Sequence, residues 1–134
     1  MPLVTIDLLR GRPPAELSAI GDAVHEAMTE VLGVPQRDRF QILTEHDRGG
    51  LSFDRHYLDI DRSEGFVLLR ITLVAGRSTE TKQAFYRRVA DLLAERAGLR
   101  VEDVAVVLLE NEREDWSFGR GQASYVDIPR EAWR

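Results

Sequence analysis

Apolar and polar residues follow two different periods in the first part of the chain. Positions 3–9 carry apolar side chains at every second residue, on one face of an extended strand: Val4, Ile6 and Leu8. Beyond Pro13 and Pro14, apolar residues recur three and four positions apart: Leu17, Ile20, Val24, Ala27 and Val31. Proline suits the first turn of a helix, and glycine commonly follows the last. The pattern predicts a strand and then an amphipathic helix that stops at Gly33.

The same pattern returns about 65 positions later, in one register and without a gap. Identical residues coincide at Gly11 with Gly76, Arg12 with Arg77, Gly33 with Gly98, Asp38 with Asp103, and Glu45 with Glu110. Chance can produce any one of these pairs. The whole set in a single register predicts two copies of one structural unit.

The second copy has its own helix signals. Ser78 is a candidate N-cap and Glu80 lies in the first turn, where an acidic side chain is favoured by the helix dipole. Its apolar stripe consists of Phe85, Val89, Leu92 and Ala97. Gly98 is the expected stop. Both helices are amphipathic, so each needs a sheet to cover its apolar face.

Each copy therefore reads as strand, helix, strand, with strands expected at 3–9, 40–46, 66–74 and 104–110. A helix between adjacent strands implies a parallel pair with a right-handed crossover. The predicted fold class is α+β: two consecutive βαβ units that form a four-stranded sheet with both helices on one face. The units span 2–46 and 66–110, joined by a loop at 47–65 and followed by a hairpin and tail at 111–134. The bare face of such a sheet favours oligomerisation.

The 134 residues, of 15.2 kDa, are expected to form a single domain. The composition limits the kinds of ligand that this domain is expected to bind. A net charge of −5 argues against nucleic acid, which needs a basic surface, and favours a small molecule. The chain has no cysteine, which excludes thiolate chemistry and disulfides. No signal peptide or membrane-spanning run is visible, so a cytoplasmic location away from membranes is expected. The spacing of His46 and His56 with neighbouring aspartates fits no metal site, and neither metal nor cofactor is predicted.

Four short stretches point to a known family when they are taken together. They are the Met-Pro start at Pro2, "GVPQRDR" after the first helix, "AGRS" after the third strand, and "DWSFGRG" near the C-terminus. With the doubled βαβ unit, this combination resembles the tautomerase superfamily, and within it malonate semialdehyde decarboxylase and its relatives. The resemblance covers nearly the whole chain.

The resemblance implies a homotrimer with three active sites and a set of roles for this chain's residues. After removal of Met1, Pro2 becomes a terminal secondary amine. Asp38 positions or activates water, and Arg77 holds the carboxylate of a small substrate. The apolar wall of the site is then formed by Trp116, Phe118 and Tyr125. A core or subunit-interface role is the other interpretation of Trp116 and Phe118.

One position departs from the decarboxylase pattern, which has two arginines that bracket one residue after the third strand. Here Arg77 matches the second, and Ala75 stands at the first. Substitutes considered for the absent arginine are Arg12, Arg39 and an arginine of a neighbouring subunit. If the two copies are related by a pseudo-twofold axis, Pro2 lies near residues 75–77. The counterpart of Pro2 in the second copy is Val67, which lies within the chain and so has no terminal amine.

A terminal proline supports two kinds of acid–base chemistry. Burial or the nearby Arg77 lowers the pKa of its amine and makes it a base for keto–enol conversion, as in a phenylpyruvate-type tautomerase. A nearby Asp38 raises that pKa and makes it an acid for a decarboxylase or hydratase; imine formation is a third route. Asp38 favours a cofactor-independent lyase over an isomerase. A catalytically weak trimeric binding protein of the same fold is the non-enzymatic alternative, which Ala75 leaves open.

Overall fold

The strands form one mixed sheet in the computed structural model, which describes residues 2–133. They are β1 (Leu3–Leu9), β2 (Gln41–His46), β3 (Val67–Val74) and β4 (Val104–Asn111), in the order β2-β1-β3-β4. β1 is parallel to β2 and β3 to β4, whereas the central β1 and β3 are antiparallel. Each βαβ unit therefore contributes one parallel pair, and the two pairs meet through the antiparallel β1 and β3. This is the arrangement that the pseudo-twofold repeat predicts. The expected removal of Met1 concerns a residue outside the described range.

The two helices begin and end as their sequences predict. α1 (Pro14–Leu32) has proline in its first turn, and the amide of Gly33, at φ 70°, donates to Met28. α2 (Thr79–Ala97) is capped by the Ser78 hydroxyl, which accepts from the Thr81 amide at 3.1 Å. Gly98 ends it at φ 68°. Glycine suits both ends because it adopts the left-handed conformation without a steric penalty.

Both helices pack on one face of the sheet, and the core lies between the two layers. The fully buried side chains of this core come from alternate positions of β1 and β3 and from one stripe of each helix: Ile6, Leu8, Ile20, Met28, Leu69, Ile71, Leu73, Phe85, Leu92 and Leu93. Neither α1 nor α2 covers the other face of the sheet. It carries exposed apolar side chains of Leu3, Ile42, Val107 and Leu109 at 37%, 51%, 47% and 46% exposure.

The segment after β4 differs from its prediction, because residues 112–133 contain no strand and so no hairpin. Instead there are one-turn 3-10 helices at Arg113–Asp115 and Arg130–Ala132, and a short helix, α3 (Ser124–Asp127). Polar side chains explain the change, since they bind backbone amides that a strand pairing needs. Asp115 accepts from the Glu112 amide at 2.8 Å, and the Ser124 hydroxyl accepts from the Phe118 amide at 2.9 Å.

The loop at 47–65 likewise has one 3-10 turn, Tyr57–Asp59, and no strand. Its end is fastened to the second copy by Asp103, which is 2% exposed. The Asp103 carboxylate accepts from the Ser63 amide at 2.7 Å and from the Ser63 hydroxyl. Arg12 donates to the Gly65 carbonyl at 2.7 Å from the end of β1. Within residues 2–133 no helix is both long and apolar enough to cross a membrane.

Candidate active site

Pro2 is buried where the starts of β1 and β2 meet the end of β3. On one side, the Val4 amide donates to the Phe40 carbonyl at 3.0 Å, which places the start of β2 beside Pro2. On the other side, Leu3 pairs with Thr72 in the antiparallel register, so the chain leaving β3 passes Pro2 on its way to Arg77. The fold therefore brings the predicted positions 2, 38 and 77 to one end of the sheet.

A cleft of about 390 Å³ opens on the Asp38 side of this end. Asp38 follows a turn in which its amide donates to the Pro35 carbonyl at 3.0 Å. The cleft is lined by Arg37, Asp38, Phe40, Phe118, Ser124, Tyr125, Ile128, Ala132 and Trp133. A carboxylate is thus placed against a largely apolar wall, an arrangement that suits acid–base work on a small organic molecule.

The apolar wall is a chain of aromatic contacts. Phe118 lies 5.1 Å from Phe40 and 5.4 Å from Tyr125, and Tyr125 meets the Trp133 ring edge-on at 4.9 Å. Trp116 stacks behind Phe118 at 5.4 Å and donates its indole N–H to Asn111 at 2.8 Å. The structure puts Phe118 and Tyr125 on the cleft, whereas Trp116 supports Phe118 from the other side.

Burial raises the pKa of the Tyr125 hydroxyl to about 12. The phenol is therefore protonated throughout the neutral range, because its folded-state pKa lies far above it. A protonated phenol at a cleft wall is a hydrogen-bond donor for a substrate oxygen.

A second cleft, of about 330 Å³, opens on the Arg77 side. It is lined by Gly33, Pro35, Val74, Ala75, Arg77, Arg113, Arg130 and Trp133. The Arg77 guanidinium is fixed by three hydrogen bonds, donating to Leu32 O at 2.9 and 3.3 Å and to Val74 O at 3.2 Å. Burial lowers the pKa of Arg77, and the nearby Glu110 carboxylate acts in the opposite direction. Arg77 is a rigid cation, and these bonds leave part of its five-donor fork for a ligand.

The two clefts share one wall, Trp133, so the C-terminal segment separates the carboxylate side from the arginine side. Sequence reasoning missed Phe40, Arg113, Arg130 and Trp133 as site residues. The sequence places Phe40 only at the start of the second strand. The other three come from the tail, whose path depends on long-range packing that no local spacing reveals.

The arginines considered as substitutes lie elsewhere in the protomer. Arg39 donates to Asp22 at 2.8 Å and to Gln41 at 3.2 Å, and it lines neither cleft. Arg12 is bound to Gly65 at the opposite end of the sheet. That opposite end is the pseudo-twofold counterpart of the site, with Val67, Asp103 and Arg12 at the positions of Pro2, Asp38 and Arg77. Its acidic and basic groups, Asp103 and Arg12, hold the end of the 47–65 loop.

The histidines have separate partners, and none of them lines either cleft. The ring of His25 contacts the Gln36 carbonyl at 2.8 Å, and that of His46 contacts Asp7 at 2.7 Å on the helix-free side of the sheet. His56 faces Asp61 at 3.7 Å. Within the described part of the chain, no three His, Asp or Glu side chains cluster as ligands for a metal ion.

The fold defines a class of protein, a doubled βαβ unit with two clefts at the end of the sheet where its first strand begins. A family model described as tautomerase enzyme matches residues 38–119, and a second model of the same description matches residues 2–58. A probable tautomerase of Bacillus subtilis strain 168, YusQ, is 35% identical over 95% of this chain and 100% of its own length. A second, YrdN, is 36% identical over 94% of this chain and 97% of its own. The chain belongs to the tautomerase superfamily.

Solved structures refine this placement. A malonate semialdehyde decarboxylase superposes with a TM-score of 0.87 at 38% identity, covering 92% of this chain and 95% of that one. The FG41 malonate semialdehyde decarboxylase, inhibited by 3-bromopropiolate, gives 0.88 at 42%, covering 95% and 99%. A fused 4-OT symmetric trimer gives 0.74 at 23%, covering 90% and 94%, and shares the fold. Within the superfamily, the chain groups with the malonate semialdehyde decarboxylases.

Proposed function

We propose that this chain is a cofactor-independent enzyme that uses Pro2, exposed as a terminal amine by removal of Met1, as acid or base on small oxo or unsaturated carboxylates. Decarboxylase and hydratase chemistry of the malonate semialdehyde type is the form that the site favours. The observation that carries this proposal is the position of Pro2, which is buried at the end of the sheet to which the fold also brings the Asp38 cleft and the Arg77 cleft.

For decarboxylation of a 3-oxo acid, Arg77 binds the carboxylate and Pro2 acts as an ammonium acid. The bond between C2 and the carboxylate carbon breaks, carbon dioxide leaves, and the electron pair moves towards the 3-oxo group to form an enolate. The Pro2 ammonium stabilises the charge that develops and then delivers its proton to C2. Solvent then protonates the Pro2 amine again, which restores the enzyme for the next turnover.

For hydration of an unsaturated acid, the same groups take complementary parts. Asp38 accepts a proton from water as the water oxygen attacks the carbon β to the carboxylate, and the Pro2 ammonium delivers its proton to the α carbon. Solvent then takes the proton from Asp38 and returns one to Pro2. Arg77 holds the carboxylate and withdraws electron density from the conjugated system. Two features of the 38–42% identical decarboxylases support this assignment. Their studied forms include one with the first-residue proline replaced by alanine, and one is inhibited by an acetylenic acid.

Keto–enol tautomerisation of the phenylpyruvate type is the second candidate function. It is favoured by the cationic Arg77, whose charge lowers the pKa of an adjacent amine and makes Pro2 a base. The Bacillus subtilis relatives carry the name probable tautomerase. Pro2 then removes a proton from oxygen and returns it to carbon. A weak trimeric binding protein, the third alternative, predicts no Pro2-dependent turnover of any substrate.

The decisive experiment compares wild type with Pro2→Ala, both shown by mass spectrometry to lack Met1. Malonate semialdehyde, phenylenolpyruvate and 3-bromopropiolate are assayed as substrates or inactivators. Losing Pro2 is expected to lower kcat by about 100-fold or more, since an acid–base group contributes on that scale. Thr5→Ala, in the strand that follows Pro2, is the control and is expected to keep full activity. Equal turnover by wild type and Pro2→Ala overturns the proposal.

We further propose that the chain acts as a homotrimer. Its helix-free sheet face exposes four large apolar side chains, and a fused trimer shares its fold. Covering that face removes apolar area from water and stabilises the assembly.

A further inference from the structure

The Arg77 cleft contains more positive charge than one carboxylate needs. Besides Arg77, it is lined by Arg113, from the 3-10 turn after β4, and by Arg130, from the last 3-10 turn. Ala75 lies on the same cleft, and its methyl side chain leaves the space open. Three guanidinium groups around one small cleft are unexpected in a chain whose net charge is −5.

Trp133 orders the two additional arginines. The Arg113 and Arg130 guanidinium carbons lie 5.7 and 5.5 Å from the centre of the Trp133 ring, within the range of a cation–π interaction. The indole is itself held by its N–H, which donates to the Ile128 carbonyl at 3.0 Å. Stacking uses the face of a guanidinium and leaves its in-plane N–H groups directed outwards, where they can bind an anion.

Neither arginine has a carboxylate within salt-bridge distance among residues 2–133. Many other arginines of the chain are paired: Arg10 with Asp47, Arg39 with Asp22, Arg88 with Glu30, and Arg96 with Glu26. Like charges in one cleft repel each other, and a bound anion relieves the repulsion. The cleft is therefore complementary to a ligand with more than one negative group.

We propose that Arg113 and Arg130 bind a second acidic group of the substrate, so that this chain selects small dicarboxylates over monocarboxylates of the same length. The inference deepens the proposed function, since it takes Arg77 as the ligand of the first carboxylate. Arg77 is the half-buried, inner cation, and the two exposed arginines form the rim. The cleft, of about 330 Å³, is at the lower end of the usual range for small-molecule sites, which suits a short diacid.

The test compares succinate with butyrate, which have the same number of carbons and differ by one carboxylate. Isothermal titration calorimetry on the full chain is expected to show that succinate binds about tenfold more tightly, the contribution of one charge-assisted contact. The double variant Arg113→Gln with Arg130→Gln loses this preference. Arg120→Gln, an exposed arginine of the same segment outside the cleft, keeps it. Thermal melts check that all three proteins are folded.

Two results overturn the inference: equal affinities in wild type, or a preference that survives in the double variant. Arg130→Gln alone is a second route should the double variant not fold, and an unchanged preference in it counts against a role for Arg130. Calorimetry measures binding without turnover, so it tests the inference separately from the proposed enzyme function.

If the chain prefers succinate but its turnover does not depend on Pro2, the dicarboxylate preference stands and the Pro2 mechanism is wrong. If turnover depends on Pro2 but succinate is not preferred, the Pro2 mechanism stands and the dicarboxylate preference is wrong.

Discussion

Two aspartates at the same position of the repeat have different surroundings. Asp103 is buried and binds Ser63, which closes its end of the sheet with the 47–65 loop. Asp38 lines an open cleft of about 390 Å³ at the end of the sheet where β1 begins. The sequence register identified the two as equivalent, and the structure separates a loop anchor from a candidate catalytic carboxylate.

Replacing each aspartate by asparagine separates the two roles. Asp103→Asn weakens the charge-assisted bonds that the buried carboxylate accepts from Ser63, and it is expected to lower the free energy of unfolding by about 1–3 kcal/mol, with kcat/KM nearly unchanged. Asp38→Asn is expected to lower kcat by about 100-fold or more, because a carboxamide cannot accept the proton of water. Urea unfolding and steady-state kinetics measure both effects. A drop in kcat for Asp103→Asn as large as for Asp38→Asn contradicts the assignment.

The C-terminal ends of α1 and α2 are equivalent in the repeat, but only the end of α1 contacts the candidate site. Gly33 and Gly98 end α1 and α2 with φ of 70° and 68°, so the two caps are local copies of each other. They differ in their neighbours. The Leu32 carbonyl just before Gly33 is the main acceptor for Arg77, while the Gly98 cap lies outside both clefts.

Alanine at each cap makes a matched pair of variants. Both Gly33→Ala and Gly98→Ala force a side chain into the left-handed region and are expected to cost about 1 kcal/mol of unfolding free energy. Only Gly33→Ala is expected to raise KM for a carboxylate substrate, about threefold or more, since a displaced Leu32 carbonyl releases Arg77. Thermal unfolding and KM measurements check this. An equal change of KM in the two variants shows that the cap does not position Arg77.

Elements with their own periodicity were predictable from the sequence, and those without it were not. The stripes of α1 and α2, their proline, serine and glycine ends, and the gapless register of the repeat led to the strands, the helices and the strand pairing. The tail carries no period: Gly119, Gly121 and the capping side chains of Asp115 and Ser124 coil it over the site. Arg113, Arg130 and Trp133 were missed for that reason. The family pattern named Asp38, Arg77, Phe118 and Tyr125, which do line the clefts, and their roles stay predictions.

At the scale of the whole molecule, the helix-free face of the sheet combines apolar and charged groups. Leu3, Ile42, Val107 and Leu109 are its exposed apolar residues. Between them, the carboxylate of Asp7 binds Arg70 at 2.8 Å and His46 at 2.7 Å. Burial is the largest influence on the pKa of Asp7 and raises it, but the hydrogen bonds and charges of His46 and Arg70 together outweigh burial and lower it. Because this carboxylate is internally paired, it adds no unpaired charge to a surface that subunits are proposed to cover.

A charge placed on this face distinguishes a trimer interface from an ordinary exposed surface. Val107→Glu is expected to raise the dissociation constant of the trimer by about 100-fold or more, because burying an unpaired carboxylate costs several kcal/mol. Val101→Glu is the control. Val101 is 48% exposed against 47% for Val107, but it lies in the 3-10 turn before β4, outside the sheet. Sedimentation equilibrium should give trimers for wild type and Val101→Glu and smaller species for Val107→Glu. Trimers of undiminished stability in Val107→Glu would mean that subunits meet through another surface, and the apolar face would then need a different partner.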